Sequence, residues 1–255
     1  MKENFSAIIL AAGSSGRMGQ PKALLTFDPQ RCFARKLADE FLAFGCQRVV
    51  MVTNAQVAAQ AVSAAYKLNG IEIVINPNPE LGRFYSFYLA LQAIGNHYVF
   101  MTNADNPFVG ADILRALRRH AMQADYVYPV YEGRGGHPIL ISPRIVRAAR
   151  AETNPDINLK EYLNRFSKAC IPVPNDQILI NINTPEEYTR LIADGKLPGN
   201  EIWDAQKSEI FGGLKVGFMK GVGVETGCSL AIARELKVQD CHIPTNEWKK
   251  NYISN

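Results

Sequence analysis

Residues 8 to 22, Ile-Ile-Leu-Ala-Ala-Gly-Ser-Ser-Gly-Arg-Met-Gly-Gln-Pro-Lys, constrain this chain more than any other stretch. The apolar run from Ser6 to Leu10 has strand character. The loop that follows carries Gly13, Gly16 and Gly19, whose missing Cβ lets backbone N–H groups approach an anion closely. Arg17 offers a planar fork to phosphate oxygens, and Lys22, five residues on, offers a point charge. A strand that ends in such a loop is a place to hold a polyphosphate. Ala11, Ala12, Gly13, Ser14, Ser15 and Gly16 form the candidate cradle, with Arg17 and Lys22 as the charged groups.

Two common phosphate patterns are excluded. A P-loop needs Gly-Lys-Ser/Thr, but Lys22 lies between Pro21 and Ala23. The dinucleotide fingerprint needs G-x-G-x-x-G, and the glycines at 13, 16 and 19 are spaced wrongly for it.

Downstream, the periodicity alternates. Cys32 to Phe44 reads as an amphipathic helix stopped by Gly45, 48–53 as a buried strand, 57–68 as an Ala-rich helix and 71–75 as a strand. Strand and helix in alternation predict an α/β fold, a Rossmann-like three-layer sandwich around a mostly parallel mixed sheet. Such sheets bind ligands at the carboxyl ends of their strands, which is where the opening loop falls.

Later segments add chemistry. Asn76-Pro77-Asn78-Pro79 is an extended turn, and a helix is expected from about Phe84, with Phe87 and Tyr88 facing the core. Tyr98 to Thr102 reads as a strand, followed by Asn103-Ala104-Asp105-Asn106-Pro107-Phe108. An unpaired carboxylate beside a buried strand costs several kcal/mol, about 2–7 for a polar group without partners. Beside a triphosphate, Asp105 is instead well placed to hold Mg²⁺. Asn106 or Asp112 is left to cap the helix expected over 112–120, whose Arg115, Arg118, Arg119 and His120 read as a solvated face. Strands are expected over 124–130, 168–173 and 178–182, the last ending at Asn183. Thr184-Pro185-Glu186-Glu187 is a helix start with Thr as N-cap.

The segment from Leu10 to Lys22 resembles the signature loop of the nucleotidyltransferase superfamily, and its Arg-Met-Gly core is most similar to the MobA-like NTP transferases, which attach CMP or GMP to the molybdenum cofactor. The resemblance spans about Ser6 to Ala193. It implies an Mg²⁺-dependent nucleotidyl transfer with an NTP (CTP or GTP) as co-substrate, a phosphorylated small-molecule acceptor such as molybdopterin, and a molybdoenzyme or its chaperone as a partner. It gives Gly82 and Ser86 to the nucleotide, with Tyr85 where a second serine is common. His137, in Gly136-His137-Pro138, falls on the acceptor side, and Asp105 and Asn183 become metal ligands. The Ala11-Ala12-Gly13 form and Gly136-His137-Pro138 lean toward CTP, whereas Asn183-Thr184-Pro185 leans toward GTP. Two other readings stay open: a sugar- or alditol-phosphate nucleotidyltransferase on the same scaffold, and a nucleotide-binding chaperone or regulator of a molybdoenzyme, for which Asn181, Asn183 and Tyr85 speak.

The totals agree with this reading. A chain of 255 residues accommodates one α/β domain over 1–193 and an extension over 194–255, in which 195–199 reads as a linker and Thr226 to Lys237 as a helix. No His-Asp dipeptide suggests a phosphohydrolase domain there. Five scattered cysteines without a C-x-x-C pair indicate neither zinc nor a disulfide framework, and fit a reducing, cytoplasmic setting. A net charge of +4 is too mild to argue for nucleic acid, and no apolar run approaches the ~20 residues that span a bilayer.

Overall fold

The computed structural model of the protein describes residues 4–63 and 68–197, with no side-chain description at 62 and 63. β1 (Phe5–Leu10) is buried along its whole length. A short hairpin of β2 (Thr26–Asp28) and β3 (Arg31–Cys32) follows, then α1 (Phe33–Phe44), β4 (Val49–Thr53), α2 (Ala55–Ser63) and β5 (Ile71–Ile75). Next come α3 (Gly82–Gln92), β6 (Tyr98–Asn103), α4 (Ala111–Arg119), β7 (Tyr126–Tyr131), β8 (Arg134–Gly135) and β9 (Ile139–Ile141). The described chain closes with α5 (Pro143–Arg150), α6 (Leu159–Leu163), β10 (Lys168–Pro172) and α7 (Pro185–Ala193).

The main sheet has eight strands, ordered β10-β7-β9-β6-β1-β4-β5, with β8 paired to β7. Strands β5, β4, β1, β6, β7 and β10 share one direction, and β9 runs against β6 and β7. The period of two along β1 sorts its side chains. Phe5, Ala7 and Ile9 join the core under α1, α2 and α4, whereas Ile8 and Leu10 join the core under α3, α5 and α6. The architecture is therefore the α/β three-layer sandwich around a mostly parallel mixed sheet expected from the sequence.

The chain leaves β1 toward β4 on one side and returns to β6 on the other. Leu10 pairs with Val52 of β4 and with Asn103 of β6. Strand order reverses there, and the crevice beyond the carboxyl ends of β1 and β6 is the natural ligand site of such a sheet.

Several local expectations need correction. Residues 178–182 are not a strand: Asp176–Leu179 is a 3₁₀ turn, and Asn183 follows irregular backbone. Asn175 Oδ1 accepts the amide N–H of Gln177 at 2.8 Å, which bends the chain before pairing can begin. Neither Asn106 nor Asp112 caps α4, because Gly110 occupies the N-cap position. The Asn106 amide instead donates to Ile178 O at 3.0 Å and its Oδ1 accepts the Phe108 N–H at 3.2 Å, so it braces the loop after β6. Helix α3 starts at Gly82, ahead of Phe84. Phe87 is fully buried while Tyr88 only flanks the core. Leu197, expected in a linker, is buried against Met18, Ile182 and Tyr188. The helix expected at Thr226 to Lys237 lies outside the described residues.

Candidate active site

The loop after β1 folds on itself through short polar contacts. The amides of Met18 and Gly19 donate to Ser15 O at 2.9 and 3.1 Å, and Ser15 Oγ accepts the Lys22 N–H at 3.4 Å. Ser15 and Gly19 take positive φ angles of 48° and 73°, a conformation that costs a serine strain and a glycine little. Met18 is buried at 4% exposure with Leu25, Phe33, Phe108, Ile182 and Tyr188, so this apolar plug fixes the loop from below.

The result is a cleft of about 330 Å³ at the end of β1. One wall is Ala11, Ala12, Gly13 and Ser15, and the opposite wall is Gly82, Arg83 and Ser86 from the start of α3. Lys22, Asn103 and Asp105 line its side. Ser86 Oγ accepts from Asn76 Nδ2 at 2.9 Å, which ties the start of α3 to the end of β5.

Lys22 Nζ donates to Asn183 Oδ1 at 2.7 Å and lies 3.3 Å from Asp105 Oδ2. Asn183 reaches this point although no strand carries it. The Ile182 N–H donates to Asp105 O at 2.9 Å, joining the two segments by backbone. Glu187 Oε2 accepts the N–H groups of Asn183 and Thr184 at 2.6 and 3.2 Å, and Thr184 Oγ1 accepts the Glu187 N–H at 3.3 Å. This capping box opens α7 and holds Asn183 toward Lys22.

The arrangement fits a divalent cation shared with phosphate. Asp105 Oδ1 is buried without a hydrogen-bond partner, while its Oδ2 meets only a lysine. Among the described residues no cluster of three or more His, Cys, Asp or Glu side chains forms. One carboxylate and one amide oxygen suit Mg²⁺, which takes its other ligands from water and substrate phosphates.

Of the residues singled out in the sequence, the structure brings Ala11, Ala12, Gly13, Ser15, Lys22, Gly82, Ser86 and Asp105 to one cleft, with Asn183 against Lys22. Ser14, Gly16 and Arg17 are exposed and do not line it. His137 lines a second cavity of about 380 Å³, together with Tyr126, Tyr128, Lys160 and Lys168. Asn103 Nδ2 donates to His137 Nε2 at 3.2 Å, which leaves the imidazole proton on Nδ1, buried and without a partner. Burial pushes the His137 imidazole below its usual value; the Asp105 carboxylate opposes this and the Arg83 guanidinium reinforces it. His137 is therefore a neutral wall of the second cavity at pH 7. Sequence reasoning missed Arg83 and Asn103. The signal for Arg83 is a cation in the first turn of a helix, where the macrodipole disfavours it; Asn103 carried no such signal.

Residues 7–169 match the MobA-like NTP transferase domain, which is more than half of the chain. The protein belongs to the MobA-like NTP transferase family. This MobA-like member is 29% identical over 182 residues to the molybdenum cofactor cytidylyltransferase of Escherichia coli K12, covering 71% of this chain and 92% of that one. It is 24% identical over 206 residues to a probable molybdenum cofactor guanylyltransferase of Carboxydothermus hydrogenoformans, covering 74% of this chain and 96% of that one. The crystal structure of Rv0371c from Mycobacterium tuberculosis H37Rv shares the fold, with a TM-score of 0.64 at 23% identity, over 76% of this chain and 100% of that one. The chain is a nucleotidyltransferase of this MobA-like type. No helix among the described residues is long and apolar enough to cross a membrane.

Proposed function

We propose that this enzyme transfers a nucleoside monophosphate, CMP in preference to GMP, from its NTP to the phosphate of molybdopterin and releases pyrophosphate. The observation that carries the reading is the meeting of Lys22, Asp105 and Asn183 beside a glycine-lined cleft at the strand-order reversal. The preference for CMP rests on the Gly136-His137-Pro138 segment, of which Gly136 and His137 line the second cavity.

The backbone of Ala11, Ala12 and Gly13 cradles the triphosphate, and Lys22 moves from the Asp105 carboxylate to the phosphates to offset the charge of the leaving pyrophosphate. Arg17, exposed and outside the lining of the cleft, closes over the β and γ phosphates when the nucleotide binds. Gly82 and Ser86 face the nucleotide from α3. Asp105 and Asn183 would hold Mg²⁺, which would supply charge neutralisation to the phosphates. The attacking group is an ionised phosphate, so His137 need not act as a base, and its neutral form shapes the acceptor side. Rate enhancement comes from positioning and from charge stabilisation.

The test is pyrophosphate release with CTP or GTP, Mg²⁺ and molybdopterin, comparing the wild type with Asp105→Ala. Release that favours CTP and falls by about 10²-fold or more in the variant is expected. No release despite tight NTP binding sinks the assignment.

A further inference from the structure

The nucleotide cleft and the second cavity meet at one side chain. Among the described residues, Arg83 alone lines both spaces. Its side chain is exposed, and no hydrogen bond or ion pair from the described residues engages the guanidinium. It stands in the first turn of α3, against the sign of the helix dipole. A five-donor fork kept unpaired at an unfavourable position is completed by an anion set between the two spaces.

The second cavity has its own chemistry. Its described lining contains Arg83, Lys160 and Lys168 and no carboxylate. Both lysines are exposed, and Tyr126, Tyr128, Leu159 and Leu163 supply apolar surface between the cations. Such a space takes a ring-bearing molecule with at least one negative group.

Building on the nucleotidyl-transfer reading, we propose that Arg83 selects the acceptor. Its guanidinium holds a phosphomonoester at the mouth between the cavities, with the body of the acceptor among Tyr126 and Tyr128 and one phosphate oxygen turned toward the cleft. That oxygen attacks the α-phosphorus of the NTP. A new bond forms between them, the bond from the α-phosphorus to the bridging oxygen of the β-phosphate breaks, and its electron pair leaves on pyrophosphate. The attacking phosphate is ionised, so no proton moves and Arg83 stays charged throughout. Acceptors with a hydroxyl in place of the phosphate are rejected because the guanidinium is left without its anion.

Calorimetric titration of the full chain tests this, with CTP for the cleft and phenyl phosphate, with phenol as control, for the second cavity. Wild type binds phenyl phosphate and not phenol. Arg83→Gln weakens phenyl phosphate by about 10- to 100-fold. Arg83→Lys restores only part of that, because a point charge cannot fork. CTP affinity in Arg83→Gln falls by less than phenyl phosphate affinity, because Lys22 and the loop after β1 also serve the triphosphate. Phenyl phosphate binding that is absent in wild type or unchanged in Arg83→Gln overturns the proposal, and so does a loss of CTP affinity that equals or exceeds the loss of phenyl phosphate affinity, which assigns Arg83 to the nucleotide. Failure of wild type to bind CTP strikes instead at the nucleotidyl-transfer reading, while the phenyl phosphate series still judges Arg83.

Discussion

Lys22 Nζ lies 3.3 Å from Asp105 Oδ2, so the cation of the opening loop rests on the carboxylate that ends β6. Both side chains are about one-fifth exposed, at 19% and 21%, which leaves the pair open to exchange with solutes. A lysine and a divalent cation contest the same oxygens. Lys22→Met is expected to raise the affinity of the nucleotide-free protein for Mn²⁺ by about tenfold, the effect of removing one nearby positive charge. The same variant loses triphosphate affinity. Mn²⁺ titration followed by electron paramagnetic resonance reads the first effect, and an unchanged affinity means that the lysine does not guard the site.

Gly136 is required by close approach. A Cβ there meets Ile178 O at 2.4 Å and Ile178 Cβ at 2.7 Å. Ile178 is fully buried and its carbonyl already accepts from Asn106 and His137, so it has little room to yield. Gly136→Ala is expected to cost about 2–3 kcal/mol. Thermal unfolding then falls by roughly 5–10 °C for a domain of this size. A melting temperature within a degree of wild type counts against the contact.

Thr184 carries a cap that presents Asn183 to Lys22. Thr184→Ala removes one half of the capping box and is expected to cost about 1 kcal/mol, whereas Thr184→Ser costs a few tenths. Urea unfolding of the two variants checks the difference, and equal midpoints show that the box adds nothing.

Asp125 links β7 to the turn before β10. Burial opposes ionisation of its carboxyl, but the hydroxyl and amide of Ser167 and the Arg144 guanidinium outweigh burial and hold it below the usual carboxylate value. Its folded value is lower than its unfolded value near 3.8. The stabilisation is therefore complete above that pH and is lost as pH falls through the folded value. Asp125→Asn is expected to lower stability by about 1 kcal/mol at neutral pH and to flatten the acid limb below it. Chemical denaturation from pH 7 to pH 2 reads both effects, and an acid limb as steep as that of wild type assigns the pH dependence to other carboxylates.

The sheet was legible because β1, β4 and β6 are buried on both faces and write themselves as largely apolar runs. The opening loop and the carboxylate at 105 were legible for a related reason, since glycines and charges directly after such runs have few packing roles. Residues 178–182 were misread as a strand because Ile178, Ile180 and Ile182 alternate as a strand does, while the Asn175 side chain that bends the chain into the turn at Asp176–Leu179 lies outside the pattern. Arg83 was missed for a different reason, although its place in the first turn of a helix was a faint signal. Its significance lies in the two spaces it joins, and one of them is built from β7, the β8–β9 turn and α6, far away in the chain. Arg17 illustrates the converse: residue type and spacing named it, but its side chain is exposed and outside the lining of the cleft.

The plug beneath the opening loop joins the first and last parts of the described chain. Met18 packs with Ile182 and Tyr188, and the Tyr188 hydroxyl donates to Thr26 O at 2.5 Å. During synthesis the ribosome delivers the loop after β1 first, and the Ile182 and Tyr188 part of its apolar seat about 160 residues later. A product ending before Ile182 holds the loop, Asp105 and the Leu25, Phe33 and Phe108 part of the seat, yet lacks Ile182, Tyr188 and the Asn183 oxygen. The cleft is thereby completed by the stretch from Ile182 to Tyr188, the part of its frame that is synthesised last.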